Sequence, residues 1–347
     1  MPGRSKLRRI QFGFESTPGT AVAATTRWRG PAVTLDDDRQ WEFVEEDVGI
    51  VGGTGRKVMP YAQGNLKLPA TPLTPEQFPI LMALALGGPI TGATDGSGSS
   101  GFRYVTTLPT TSGPAANRAA TVETGDDYEV ENAAYTKVID WTIKGTQKKP
   151  ITVEATLQSQ QVGRLGTGFS ATTLATLNDL LFWNTRLYLD AVGGTIGTTQ
   201  ITNQFLGCEI SGKTTYAFKQ TGEGPAVGTV PTYNLVVYTD HEIRVKLTLE
   251  HDPAVDGNTG IKSLFRAGTP RLMRLDCLGQ AYATAGTGTL LTGRRGVRFD
   301  LPLDFIKIPG LDAIEGNDIV TVEAVSRYNT TYGSSGAITV CNEVTAL

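Results

Sequence analysis

Few residues in this chain have the types needed for catalysis or ligation, and their spacing decides against most of the chemistry they could perform. His241 and His251 are the only histidines, ten residues apart on either side of a predicted strand. Zinc sites place histidines one helical turn or a short loop apart, so both read as surface side chains. Cys208, Cys277 and Cys341 form no C-x-x-C pair, and no histidine near Cys277 would activate it. They read as reduced, buried thiols of a reducing compartment. Asp36-Asp37-Asp38 could be half of a metal site, but no second acidic cluster has calcium-loop spacing, and a solvated turn is expected. The stretch Gly49-Ile50-Val51-Gly52-Gly53-Thr54-Gly55-Arg56-Lys57 has the glycines of a phosphate loop. It lacks the G-x-x-x-x-G-K-[ST] spacing and a following helix, so it reads as a hairpin tip. Glu154 and Glu323 could pair as acid and base, yet each lies in an alternating strand. No G-x-S-x-G elbow occurs, and the Asn329-Thr330-Thr331 sequon means little without a secretory signal. The expectation is a protein with no catalytic site, metal or cofactor.

The elements that would position such residues are mostly strands. Residues 139–158 read Ile139-Asp140-Trp141-Thr142-Ile143-Lys144-Gly145, a polar turn, then Ile151-Thr152-Val153-Glu154-Ala155, with apolar and polar residues alternating on both arms. A second version follows near the C-terminus. There Leu303-Asp304-Phe305-Ile306-Lys307-Ile308-Pro309-Gly310 leads through an acidic turn to Val320-Thr321-Val322-Glu323-Ala324. Further strands are predicted over 28–35, 65–68, 102–108, 120–123, 185–190, 205–218, 242–250, 271–278 and 297–303. Thr74, Pro75 and Gln77 predict a capped helix over 75–86, closed by Gly87-Gly88-Pro89. Its residues Phe78, Leu81, Met82, Ala85 and Leu86 cover most of its circumference, so it must be wedged between sheets or between subunits. Ile261, Leu264 and Phe265 predict a second helix ending at Gly268-Thr269-Pro270, and residues 172–182 a short third one. Residues 163–168 read as a turn between halves. The order strand, helix, strand, terminal hairpin then occurs twice, in a first domain over 1–168 and a second over 169–347.

At 347 residues the chain has room for two such domains. Its 41 glycines and 39% hydrophobic content suit a β-rich core, and a net charge of -3 gives no basic stripe for gripping phosphates. The longest apolar run, over 78–86, is far short of the ~20 residues that span a bilayer. The basic start of the chain has no apolar core behind it, so neither membrane insertion nor secretion is expected.

Glu15-Ser16-Thr17-Pro18-Gly19-Thr20, Leu35-Asp36-Asp37, Leu73-Thr74-Pro75-Glu76-Gln77, Leu86-Gly87-Gly88 and Trp141-Thr142-Ile143-Lys144-Gly145, in that order, resemble the tail tube proteins of long, non-contractile-tailed bacteriophages. The resemblance implies a β-sandwich or barrel with a flanking helix; the two tandem copies read from the repeat depart from the family's single-domain members. It implies rings stacked into a hollow tube in the virion tail, assembled in the host cytoplasm. It further implies a tape measure protein inside the tube, terminator and tip proteins at its ends, and DNA passing through without tight binding. Two domains per chain favour a trimeric ring over a hexamer. The interface residues expected are Trp41, Phe43, Val44, Val48, Ile50 and Val51, in a segment over 41–64 that orders between rings, with Phe78, Leu81, Met82 and Leu86 of the helix. Another virion protein (capsid or tail accessory), a β-rich binding module and an enzyme with an unrecognised site are the alternatives.

Overall fold

The computed structural model describes residues 5–46, 49, 54–110, 113, 114, 116–126, 128–166, 168–222, 229–251, 260–288, 290–308, 310–314 and 316–347. It is mainly β, as the alternation predicts: its nineteen strands pair only antiparallel, with two α-helices among the described residues. The first series runs β1 (Arg9–Phe14), β2 (Thr26–Trp28), β3 (Asp36–Glu46), β4 (Thr54–Pro72), α1 (Phe78–Leu86), β5 (Ala93–Thr94), β6 (Phe102–Thr107), β7 (Ala120–Gly125), β8 (Val130–Thr146), β9 (Thr152–Ser159) and β10 (Gly163–Gly166). The second runs β11 (Thr185–Ala191), β12 (Gln200–Ile201), β13 (Phe205–Lys219), β14 (Leu235–Glu250), α2 (Ile261–Arg266), β15 (Arg271–Ala281), β16 (Arg294–Lys307), β17 (Asp312–Ile314), β18 (Asn317–Ser326) and β19 (Ala337–Asn342).

Most strand pairings of the first series recur in the second, although β5 with β6 has no counterpart there and β17 with β18 none in the first. β1 pairs with β2 and β7, as β11 pairs with β12 and β15. β3 pairs with β4 and β4 with β9; β13 pairs with β14 and β14 with β18. β8 holds β7, β9 and β10, while β16 holds β15, β18 and β19. The two echo hairpins share a register: Trp141 lies opposite Ala155, and Phe305 opposite Ala324. Two pairings join the series, β8 with β13 and β6 with β19.

Helix α1 starts later than its capping box predicts. Residues 75–77 form a turn in which the amides of Gln77 and Phe78 both bond the Thr74 carbonyl, and Gln77 is the N-cap. Pro79 therefore falls in the first helical turn, where its missing amide costs nothing. Gly87, left-handed at φ 67°, closes the other end, its amide and that of Gly88 bonding the carbonyls of Ala83 and Met82. All nine helical residues are buried, seven of them in one cluster fed by both series. The Phe78 ring meets Trp141 of β8 at 6.0 Å and Phe299 of β16 at 6.2 Å.

Other expectations are corrected. Asp36-Asp37-Asp38 opens β3 instead of forming a turn, and residues 31–35, expected as strand, are irregular. Residues 163–166 are the strand β10. The helix expected over 172–182 is absent because that segment is held extended by tertiary bonds. The Thr172 hydroxyl bonds Gln11, Asn178 bonds both oxygens of buried Glu76, and the Leu180 amide bonds the Leu73 carbonyl. No helix among the described residues is long and apolar enough to cross a membrane.

Candidate assembly surface and charged sheet face

The joint between the two series is built from strand pairing and aromatic packing. β13 adds to the edge of β8 from Gly207 opposite Thr146 to Lys213 opposite Asp140. On the buried side of this joint Gly212 lies opposite Trp141, and an added Cβ would fall 2.2 Å from the indole. Glycine is therefore what lets the indole cross the joint. Farther out, the β13–β14 hairpin lays Tyr216, Phe218, Tyr233 and Val236 against Tyr135 and Ala119 of the first series. Tyr233 donates to the Tyr135 carbonyl at 2.9 Å, and Tyr216 reaches the α1 carbonyl of Ala85 at 2.6 Å. Lys137, buried beneath them, donates to Asn117 at 2.6 Å and lies 5.3 Å from the Tyr216 ring centre. Burial drives its ammonium down to about 7, with Glu15 pulling the other way. Glu15 explains the lead-in motif: its carboxylate accepts the amides of Gly19 and Tyr135 and the Thr121 hydroxyl.

In the matching hairpin of the first series, β3 has no such cover. Every residue of β3 is exposed or half-buried, with Trp41 at 45%, Phe43 at 69% and Val44 at 38%. The Lys57 ammonium lies 3.8 Å from the Trp41 ring centre. These three expected interface residues thus form an apolar arm on the surface. Val48, Ile50 and Val51 lie outside the described residues. Of the expected segment, 41–46 and 54–64 are paired strand. Phe78, Leu81, Met82 and Leu86 belong to the core of the chain: sheets of both series cover the helix, so these residues present no surface to a partner.

One sheet face carries charges in a register that sequence spacing cannot reveal. Lys144, Glu209, Lys246, Glu323 and Lys307 stand directly opposite one another on β8, β13, β14, β18 and β16, alternating in sign. Lys144 also reaches Glu154 at 3.3 Å, and Lys213 stands between Asp140 and Glu242. Such cross-strand pairs contribute ~0.2–1 kcal/mol each and fix register more than stability. On β15 and β16 half-buried forks do the same, Arg274 to Asp300 at 2.6 and 2.9 Å and Arg298 to Asp276 at 2.6 and 2.8 Å.

The residues weighed for chemistry stay apart. His241 lies in β14 beside Tyr238 and Asp240, with burial lowering its pKa, and His251 follows the end of that strand. All three cysteines are free and buried, and burial raises the Cys208 and Cys341 thiols to about 12. Glu154 and Glu323 occupy different strands of the charged face. Among the described residues no group of three metal-ligating side chains converges. No family model matches the chain, and no curated protein matches it in sequence.

Proposed function

We propose that this chain is the tube-forming structural subunit of a long phage tail, in which two copies of one domain per chain make a three-chain ring. The observation that carries the reading is that most of the pairing scheme recurs, with the β8–β13 joint made inside the chain and its counterpart unmade at the end of β16 and over residues 30–35. A domain that adds edge to edge to its own duplicate can add the same way to the next chain, and repeated addition closes a ring. The apolar arm at Trp41, Phe43 and Val44 supplies a second contact surface of the kind that soluble monomers rarely leave open.

The charged face suits the wall of a DNA conduit. Lys144, Lys213, Arg244, Lys246 and Lys307 are offset by Asp140, Glu154, Glu209, Glu242, Asp304 and Glu323 on the same strands. A basic wall would release counterions on gripping phosphates and hold the duplex; a balanced one lets it slide. Tape measure, terminator and tip proteins are the partners this reading brings, with the virion tail as its location. Electron microscopy of the purified chain tests it: stacked rings forming hollow tubes are expected, and closed shells or dispersed monomers at high concentration would overturn it.

A further inference from the structure

The unjoined ends identify the joint between chains. Leu68 of β4 faces Ala155 as Val245 of β14 faces Ala324, so the two series superpose with Leu68 on Val245 and Trp141 on Phe305. Counting along the strands sets Asp36 on Lys213 and Tyr61 on Tyr238. Each partner in the internal joint then has a counterpart that pairs with no strand on that side, although Leu35 is buried and its amide bonds the Thr124 hydroxyl. The β8 edge that receives β13 corresponds to the end of β16 from Asp304, which holds β18 on one side and no strand on the other among the described residues. The β13 stretch that adds to it corresponds to residues 30–36, which pair with no strand before Asp36.

A cleft repeats the same relation. In the first series, residues near Tyr61 and Gln160 receive the returning strand of the β13–β14 hairpin. The Ala62 amide bonds the Pro231 carbonyl at 2.8 Å, and Gln160 bonds the Tyr233 carbonyl at 2.7 Å. In the second series the corresponding place is an open surface cleft lined by Tyr238, Thr239, His241, Val325, Arg327 and Tyr328. The element corresponding to the inserted hairpin is the exposed β3–β4 arm.

We infer that a second copy of this chain joins here. Its residues 32–36 add antiparallel to the edge running from Asp304 of β16 to Ile308 just beyond it, and its β3–β4 arm enters the cleft beside Tyr238 and Tyr328. The inference rests on the ring reading above and names its contact. Transfer of the internal register puts Leu35 opposite Phe305, an apolar pair, where the internal joint has Gly212 and Trp141. It also puts Asp36 opposite Asp304, where the internal joint has Lys213 and Asp140. The external joint therefore lacks one favourable charge pair, so it is the weaker of the two and the one that opens when the assembly is dissociated.

The test is a paired-cysteine cross-link in the full chain. Asp36→Cys and Asp304→Cys are introduced together, and the assembled protein is treated with a short bismaleimide; the native thiols are buried and do not compete. Intermolecular products are expected in the double variant and in an equimolar mixture of the two single variants, but in neither single variant alone. A ladder closing at three chains supports joint and ring together. A ladder closing at six supports the joint and overturns the trimer. Assemblies visible by microscopy that give no cross-link overturn the joint while leaving the ring, and a chain that never associates overturns both. Charge supplies a second arm. Asp304→Lys alone is expected to lower the critical concentration for assembly several-fold, and adding Asp36→Lys to return it toward the parent. An unchanged critical concentration for Asp304→Lys, or a double variant that keeps the single variant's value, would contradict the register.

Discussion

Replacing Gly212 by alanine probes the joint between the two series directly. In an open strand this change is stabilising by ~0.4–1 kcal/mol, because alanine narrows the unfolded ensemble. Here the new Cβ would meet three atoms of the Trp141 indole at 2.2, 2.3 and 2.5 Å. The ring has nowhere to go: Trp141 is 1% exposed and held between Phe78 at 6.0 Å and Phe299 at 6.4 Å. Overpacking of this kind costs ~1–3 kcal/mol, so the clash outweighs the entropic gain. At ~2.1 cal/mol/K per residue the unfolding entropy is about 0.7 kcal/mol/K for a chain of 347 residues. A net loss of ~2 kcal/mol therefore lowers Tm by roughly 3 °C, which differential scanning calorimetry resolves. Trp141→Phe removes the offending ring edge. In the double variant Gly212→Ala should cost at least ~1 kcal/mol less than it does alone, the coupling expected of residues in contact. A Gly212→Ala variant melting at or above the parent would refute the reasoning, as would strict additivity with Trp141→Phe.

Leu81→Asp places a carboxylate at a fully buried position of α1, at a cost of several kcal/mol, and is expected to yield no soluble folded protein. Phe43→Asp, on the exposed arm, should instead give a folded chain with an unchanged circular dichroism melt but impaired assembly; equal solubility for the two variants would contradict the placement of the helix. The buried Lys137 ammonium gives up its proton near 7 in the folded chain and near 10.5 when unfolded. The unfolded state thus binds more protons between those values, and stability should rise with pH by up to ~1.4 kcal/mol per unit from about pH 7 to 9.5. Urea midpoints that stay flat or fall across that range, or a rise that survives in Lys137→Met, would remove the assignment. Assembled tubes should bind linear duplex DNA weakly at low salt, and a steep salt-dependent affinity would contradict a balanced wall.

The strands with one wet face were legible from period-two alternation, β9 and the distal part of β14 most clearly, because burial alternates along them. β1, β7 and β19 are buried over most or all of their length, so alternation marks them poorly, and β1 and β19 went unseen. Asp36-Asp37-Asp38 has the composition of a turn. As strand its polar side chains find partners, Arg39 for Asp37 and Gln63 for Asp38, a pairing that only register reveals. The helix expected over 172–182 lost to bonds from Gln11, Glu76 and Leu73, more than ninety residues away in sequence. Trp41, Phe43 and Val44 could be named as surface contacts because they are large apolar residues set among acids in a glycine-rich segment with no core pattern of its own. The alternating row from Lys144 to Lys307 could not, since its members meet only across five strands.

The mass of the isolated ring tests the central claim most directly. Native mass spectrometry of rings released from tubes at mild denaturant should give three times the 37.0 kDa chain mass. Six chains per ring would mean that the two series of strands do not act as equivalent positions, and would contradict the account.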